Sequence, residues 1–230
     1  MTEFDRLRGP GIEIHVGTTI TMENVSNNDT HNVWSLPRAL ISHYSPFLEA
    51  ACSRYFKECR ENRIKLPDDD TTVFALFVEW MYYGQYTIAS LSPPSAKTAS
   101  RASIDAKCWV LGDKLLCTGF KNYAMGRIYA QHTAISFNTA VTTSDVEYAC
   151  DNSAVHSKLR EFYVAFVATY FNDPNRIHGT AEEWDGLFLK RADMRLLLLQ
   201  GFRLGDRDFL KSKGHYFEKN DKMCVVIDQK

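Results

Sequence analysis

Residues 36–86, LPRALISHYSPFLEAACSRYFKECRENRIKLPDDDTTVFALFVEWMYYGQY, decide the fold of this chain. Ser45 is a preferred helix N-cap, and Pro46 follows at the first helical position, where its missing N–H costs nothing. In residues 63–66 (RIKL) basic and apolar side chains alternate, which is typical of a half-buried strand. The stretch therefore predicts two helices followed by a strand.

A further helix is predicted directly after this strand. Pro67 breaks the chain, and Asp70 offers an N-cap for the helix that follows. Gly84 ends that helix, because glycine readily adopts the left-handed conformation of a C-cap. Between the two caps, apolar side chains recur at i, i+3, i+4 and i+7 and predict one buried face: Phe74, Phe77, Val78 and Met81.

The order and spacing of these elements resemble the BTB/POZ domain, a protein–protein interaction fold. Residues 11–17 (GIEIHVG) are similar to its first hairpin strand, and residues 108–125 (CWVLGDKLLCTGFKNYAM) to its closing helices. The chain resembles the fungal type of this family, without appended zinc fingers or kelch repeats. The resemblance depends on the S-P-F step at 45–47, residues 64–67, the W-x-Y-x-G ending of Trp80, Tyr82 and Gly84, and Leu111, Asp113, Lys114 and Leu115.

The resemblance implies a BTB/POZ fold, and helix signals outside it predict an all-α C-terminal extension, so an α+β chain is expected. The interaction domain is expected over residues 1–130, with a flexible Ser-, Ala- and Pro-rich insertion at about 88–103. The helical extension is expected over 131–205. Residues 206–230 form a charged tail.

Helix signals continue through the extension. Residues 144–147 and 180–183 read as capping boxes that start helices. Between them, residues 159–170 carry a broad apolar stripe, which we expect to pack on its own domain. The run of leucines at 196–199, ending at Gly201, predicts a last core helix.

Composition restricts the possible partners. The 230 residues carry a net charge of −1, so no overall field attracts nucleic acid or an anionic membrane. Residues 1–10 (MTEFDRLRGP) lack the apolar core of a signal peptide, and no run approaches the roughly 18 apolar residues of a membrane span. We therefore predict an intracellular protein of the cytoplasm, the nucleus or both, with protein partners and without nucleic acid or membrane.

No catalytic motif is recognisable in the sequence. The phosphate-binding glycine loops, H-E-x-x-H and G-x-S-x-G are all missing, and the seven histidines are scattered singly. The six cysteines contain no C-x-x-C pair. The acidic residues 68–70 are better placed to cap a helix than to bind a metal. We predict no enzyme activity, no cofactor and no metal site.

One short motif suggests a particular partner. Members of the family that recruit cullin-type ubiquitin-ligase scaffolds often carry a hydrophobic-x-Glu step after the S-P-F helix, and Phe56-Lys57-Glu58 stands at that place. Phe56 would be an apolar anchor and Glu58 a positioned carboxylate. The alternative is that Phe56 packs inside the domain and Glu58 is a solvated charge.

Two departures concern another family surface. Gly11 stands where the family usually has Asp, and Pro37 where it usually has His, although Arg38 keeps the following basic position. The charged pocket that co-repressor-binding members use is therefore not expected here. Homodimerisation is compatible with the sequence and is not implied by it.

The sequence thus predicts a non-enzymatic interaction module, serving as an adaptor or scaffold subunit. One hypothesis is a substrate adaptor of a cullin-type ubiquitin ligase. The alternative is a transcription-associated or scaffold module that forms homo- or hetero-oligomers without cullin. A third hypothesis is an enzyme without a recognisable motif.

Overall fold

The computed structural model describes most of the chain as two compact units. The first contains the described residues of Met1–Ser95 and Leu111–Phe120, and the second those of Ala96–Val110 and Lys121–Lys219. The described residues are 4–17, 32–53, 57–88, 101–134, 139–204 and 209–219.

A three-stranded sheet forms the centre of the first unit. Strand β1 (Gly11–Val16) pairs antiparallel with β2 (Val33–Pro37) and parallel with β3 (Arg63–Leu66), so the order is β2-β1-β3. Ile12, Ile14 and Val16 of β1 are fully buried, because alternate side chains of a strand point to the same face. The predicted hairpin strand and the half-buried strand at 63–66 are both confirmed. Residues 18–31, between β1 and β2 in the sequence, lie outside the described residues.

Three short helices connect β2 to β3. Helix α1 spans Arg38–Tyr44, α2 spans Pro46–Ala51 and α3 spans Lys57–Glu61. The Ser45 side chain caps α2 as predicted, with its Oγ accepting a hydrogen bond from the Leu48 N–H at 3.1 Å. Asn62, with φ at 53°, turns the chain from α3 into β3.

Helix α4 (Thr71–Tyr83) packs a broad apolar face into the first unit. The Asp70 carboxylate accepts from the backbone N–H groups of Thr72 and Val73, and Gly84 closes the helix with φ at 69°. Both caps agree with the sequence prediction. The buried residues are Val73, Phe74, Leu76, Phe77, Val78, Trp80 and Met81.

Aromatic rings join α4 to its neighbours within the first unit. The ring of Phe74 lies 6.0 Å from that of Trp34 on β2, measured between centroids. Trp80 instead lies 5.2 Å from Tyr44 of α1 and 5.4 Å from Phe120. Phe74 is thus the aromatic residue of α4 with a ring contact to the sheet, whereas Trp80 joins α4 to other helices.

Two long helices follow the predicted insertion. Helix α5 covers Arg101–Lys114 and α6 covers Thr118–Thr133. Ile88 is 4% exposed. The two ends of the predicted insertion at 88–103 are therefore ordered, and residues 89–100 lie outside the described part of the chain.

Four further helices lie in the second unit. Helix α7 covers Thr143–Asn152, α8 Lys158–Tyr170, α9 Ala181–Lys190 and α10 Ala192–Leu204. The capping box predicted at 180–183 is confirmed, with Thr180 as N-cap of α9.

The capping box predicted at 144–147 was misplaced by two residues. Thr142 is the N-cap of α7 and Asp145 is the N3 partner, with Oδ2 accepting from the Thr142 N–H at 3.0 Å. Threonine and aspartate form this reciprocal pair as serine and glutamate do.

The apolar stripe predicted at 159–170 packs within the second unit, as expected. Phe162 is fully buried against Tyr216, with their ring centroids 5.4 Å apart at an interplanar angle of 89°. Tyr216 belongs to a short 3₁₀ helix at Lys213–Tyr216 and is also fully buried. Part of the predicted charged tail therefore contributes to a core. The stripe buries Leu159, Phe162, Tyr163, Phe166 and Val167 completely.

The leucines at 196–199 were predicted to lie in a core helix, and this was right for only one face of α10. Leu198 is 5% exposed, whereas Leu196 and Leu199 are each 56% exposed. Successive residues of a helix are turned by about 100°, so four leucines in a row cannot all face one core.

The chain is therefore an α+β protein with a small sheet and many helices. Residues 121–130 belong to the second compact unit. The predicted end of the interaction domain at residue 130 was based on the family resemblance. That limit stays a prediction. Among the described residues, none of the helices is both long enough and apolar enough to cross a bilayer.

Candidate functional site

The candidate partner-binding residue Glu58 lies in the first turn of α3 and is half-buried. A carboxylate is favoured there, because the first backbone N–H groups of a helix lack acceptors within it. Glu58 forms no ion pair with another described residue. Phe56, the other half of the predicted motif, lies outside the described residues, so the motif's apolar anchor stays a prediction.

Two of the other charged residues of α3 pair with each other. The Lys57 Nζ lies 3.2 Å from Glu61 Oε1, and both side chains are well exposed. An exposed pair one helical turn apart stabilises a helix by only about 0.3–0.5 kcal/mol. Since this pair cancels its own charge, Glu58 is the unpaired carboxylate of α3 among the described residues.

A second feature of the first unit is a buried contact that sequence reasoning did not find. The Ser45 hydroxyl donates to the Leu115 backbone carbonyl at 2.6 Å. This contact places the start of α2 beside the turn between α5 and α6. Leu116, in that turn, has φ at 55° and a side chain that is 59% exposed, and Phe47 of α2 is 37% exposed.

In the sequence, Phe47 and Leu116 closely follow Ser45 and Leu115, the two residues of this hydrogen bond. A leucine with positive φ is unusual, because its Cβ meets the backbone in that conformation. The sequence shows Phe47 within the S-P-F step but gives no sign that it stays partly exposed. Only the contact across 70 positions of sequence associates it with Leu116.

The two residues that depart from the family pattern are partners in the sheet. Gly11 of β1 is paired with Pro37 of β2 at the end of the antiparallel ladder. Neither residue carries a charge or a polar side chain. Arg38, next in the chain, donates from Nη2 to Asn62 Oδ1 at 2.7 Å. The expectation that no charged pocket forms at this position stays a prediction.

The second unit contains a cleft of about 500 Å³ between α8, α10 and the segment that follows α10. Small-molecule sites commonly have a volume of this size. Arg160, 92% of whose side chain is buried, donates from Nη2 to Asp193 Oδ2 at 2.5 Å across the cleft. The cleft is lined by Val155, His156, Arg160, Glu161, Val164, Ala165, Asp193, Met194 and Phe209.

The carboxylates of this cleft are held ionised. Burial opposes ionisation of Glu161, but hydrogen bonds from Lys158 and His215 lower its pKa below the ordinary value. Burial likewise opposes ionisation of Asp193, and the hydrogen bond from Arg160 lowers its pKa. A general acid needs a raised pKa near the working pH, so these shifts run in the wrong direction for that role.

The described residues offer no metal site, and Cys150 is not an activated thiol. No group of three or more His, Cys, Asp or Glu side chains among them is arranged to hold a metal ion. Burial raises the pKa of the Cys150 thiol, and a nucleophilic cysteine needs the opposite shift.

A comparison of the chain with protein-family models and with curated proteins finds no match.

Proposed function

We propose that this protein is a non-enzymatic protein–protein interaction module of the BTB/POZ type, acting as an adaptor or scaffold subunit. The observation that carries the proposal is the order in which the strands and helices of the first unit are connected. A hairpin, β1 and β2, leads through three short helices to β3, which returns parallel to β1 and is followed by the capped helix α4. Apart from the additional short helix α3, this order agrees with the predicted order of two helices, a strand and a capped helix.

The favoured partner is a cullin-type ubiquitin-ligase scaffold, which would dock at the Phe56-Lys57-Glu58 step. Support comes from Glu58, which is half-buried at the start of α3 and has no ion pair with another described residue. A half-buried carboxylate at the start of a helix is suited to pair with a partner's donor.

The test is binding of the full chain to a purified cullin scaffold, measured by calorimetry. Phe56→Ala is expected to weaken binding by about thirtyfold, which corresponds to a loss of roughly 2 kcal/mol at an apolar anchor. Glu58→Lys should weaken binding through charge reversal and lower the stability by no more than about 1 kcal/mol, because a cation is disfavoured at the start of α3. Glu61→Lys on the same helix is the matched control, because Glu61 is paired with Lys57, and it should bind like the wild type.

Two results would remove the cullin proposal. One is that the wild type does not bind the scaffold at all. The other is that Phe56→Ala lowers the free energy of unfolding while Glu58→Lys changes nothing, because Phe56 would then be a core residue. A single charge reversal that unfolded the protein would be recognised by its circular dichroism.

The second candidate function is an oligomerisation module that assembles without cullin. It is supported by Phe47 and Leu116, whose side chains are 37% and 59% exposed in the first unit. Sedimentation velocity distinguishes the two functions. A dimer that Phe47→Ser and Leu116→Ser both dissociate, in a protein that does not bind the scaffold, would select this alternative.

A further inference from the structure

Helix α10 carries apolar side chains on two opposite faces. Met194 and Leu198, which are 1% and 5% exposed, pack into the second unit. Leu196 and Leu199 lie on the other face and are each 56% exposed. A helix that only closed a domain would carry polar residues on that outer side.

The exposed residues of α10 follow the spacing of a coiled-coil contact. Ala192, Leu196, Leu199 and Arg203 are separated by four, three and four positions, and all four are exposed. This alternation places side chains along one line on a helix, where a second helix can interlock with them. We call these four residues the outer seam of α10.

Two basic residues accompany the outer seam. Arg203 ends it and Arg195 lies beside Leu196, and both are exposed. Neither guanidinium forms an ion pair with another described residue. Asp193 is the carboxylate of α10, and it is bound to Arg160 at 2.5 Å. The outer seam is therefore apolar at its centre and positive at its edge.

We propose that the outer seam of α10 is a docking surface for an acidic amphipathic helix of another protein. Leucines of that helix would pack against Leu196 and Leu199, and its Glu or Asp residues would pair with Arg195 and Arg203. Helices are commonly recognised in this way through apolar anchors at helical spacing. The contact is small, so binding is transient and in the micromolar range.

A second copy of this chain fits the outer seam less well. It would bring the same two guanidinium groups, while the Asp193 carboxylate of each copy is already held by its own Arg160. Like charges at the edge of a coiled-coil contact oppose association. An acidic partner removes the repulsion and supplies the missing carboxylates.

The first experiment measures binding of defined peptides to the full chain by fluorescence anisotropy. The probe is a labelled helical peptide of three heptads with Leu at the a and d positions and Glu at e and g. A second labelled peptide of the same design carries Lys in place of Glu. We expect the Glu peptide to bind at least about tenfold more tightly than the Lys peptide, and added salt to reduce the difference because it screens exposed charges.

Variants of the outer seam then test its residues. The double variant Leu196→Ser, Leu199→Ser should weaken binding of the Glu peptide by about tenfold or more, and Arg195→Glu with Arg203→Glu should reverse the preference toward the Lys peptide. Leu189→Ser is the matched control, because Leu189 is 67% exposed at the end of α9 and lies outside the outer seam. Circular dichroism should be unchanged in all variants, since every changed residue is exposed.

Four results would overturn this proposal. The Glu peptide could fail to saturate, the two peptides could bind equally, or the leucine double variant could bind like the wild type. A fourth is a wild-type dimer in sedimentation velocity that the leucine double variant dissociates, which would make a second copy the occupant. The α3 variants used for the cullin test lie outside α10, so either proposal can fail without the other.

Discussion

Gly119 of α6 leaves the space that the indole ring of Trp80 fills. A Cβ atom added at Gly119 would lie 3.0 Å from Cη2 and 3.2 Å from Cζ2 of Trp80. The indole has little room to withdraw, because Trp80 is 5% exposed and lies among the rings of Tyr44, Phe77 and Phe120. The small size of Gly119 is therefore required by packing.

Gly119→Ala should destabilise the protein, although alanine favours a helix by about 1 kcal/mol over glycine. Overpacking a tight core costs about 1–3 kcal/mol, which outweighs that gain. Chemical denaturation measures the free energy of unfolding. Gly126→Ala is the control, because the nearest atom to its added Cβ is 3.7 Å away. An increase in stability with Gly119→Ala would show that the Trp80 ring can yield.

Trp80→Ala should lower the free energy of unfolding by about 3–5 kcal/mol, because it removes a buried indole and leaves a cavity. Tyr83→Ala, three residues later on α4, should have little effect, since Tyr83 is 75% exposed. Urea denaturation of both variants checks this difference. Equal midpoints would mean that the buried face of α4 had been misassigned.

Ser45→Ala should destabilise the protein by about 2 kcal/mol. It removes the cap on the Leu48 N–H and also leaves the Leu115 carbonyl without its donor in a buried site. Thr180→Ala removes a cap at the exposed start of α9 and should cost about 1 kcal/mol. Thermal unfolding of the two variants compares these losses. Equal losses would show that the contact with Leu115 adds nothing.

His132 should make stability depend on pH. Burial lowers its pKa, its Nδ1–H donates to the Thr139 carbonyl at 2.7 Å, and the buried Nε2 has no hydrogen-bond partner among the described residues. Above the unfolded pKa of about 6.5 the ring is neutral in both states. Below about pH 6.5, His132 is protonated in the unfolded chain but stays neutral in the folded chain. The free energy of unfolding therefore falls as the pH falls from the unfolded pKa toward the lower folded pKa.

The measurement is the free energy of unfolding between pH 5 and 7.5 for the wild type and for His132→Phe. The slope contributed by one such group approaches about 1.4 kcal/mol per pH unit, and the phenylalanine variant should lack it. The absolute stability of the variant does not matter for this comparison. Parallel pH profiles would exclude His132 as the source.

The sequence was sufficient for the elements whose signals are local. The caps at Ser45, Asp70 and Thr180 and the left-handed Gly84 were all predicted, because capping depends on residues within one helical turn. The alternation of basic and apolar side chains in Arg63–Leu66 likewise predicted a strand, because side chains two positions apart lie on the same face. The cap of α7 was placed two residues late, since Thr142 and Ser144 are both acceptable N-cap residues.

Local sequence patterns could not predict the long-range contacts. No local pattern indicates that the Ser45 hydroxyl meets the Leu115 carbonyl, or that Leu116 takes a positive φ and stays exposed. The same holds for Tyr216, which was assigned to a charged tail and lies fully buried against Phe162. A single aromatic residue in a polar segment acquires its burial from partners far away in the chain.

The sequence by itself determined those helices, strands and caps whose signals are local, because hydrogen bonding and side-chain periodicity act over a few residues. The tertiary structure decided which apolar residues are hidden. Leu196, Leu198 and Leu199 read alike in sequence, yet only Leu198 is buried, because α10 turns one side toward its unit. Exposure depends on what packs against each face, and that is fixed only when distant segments meet.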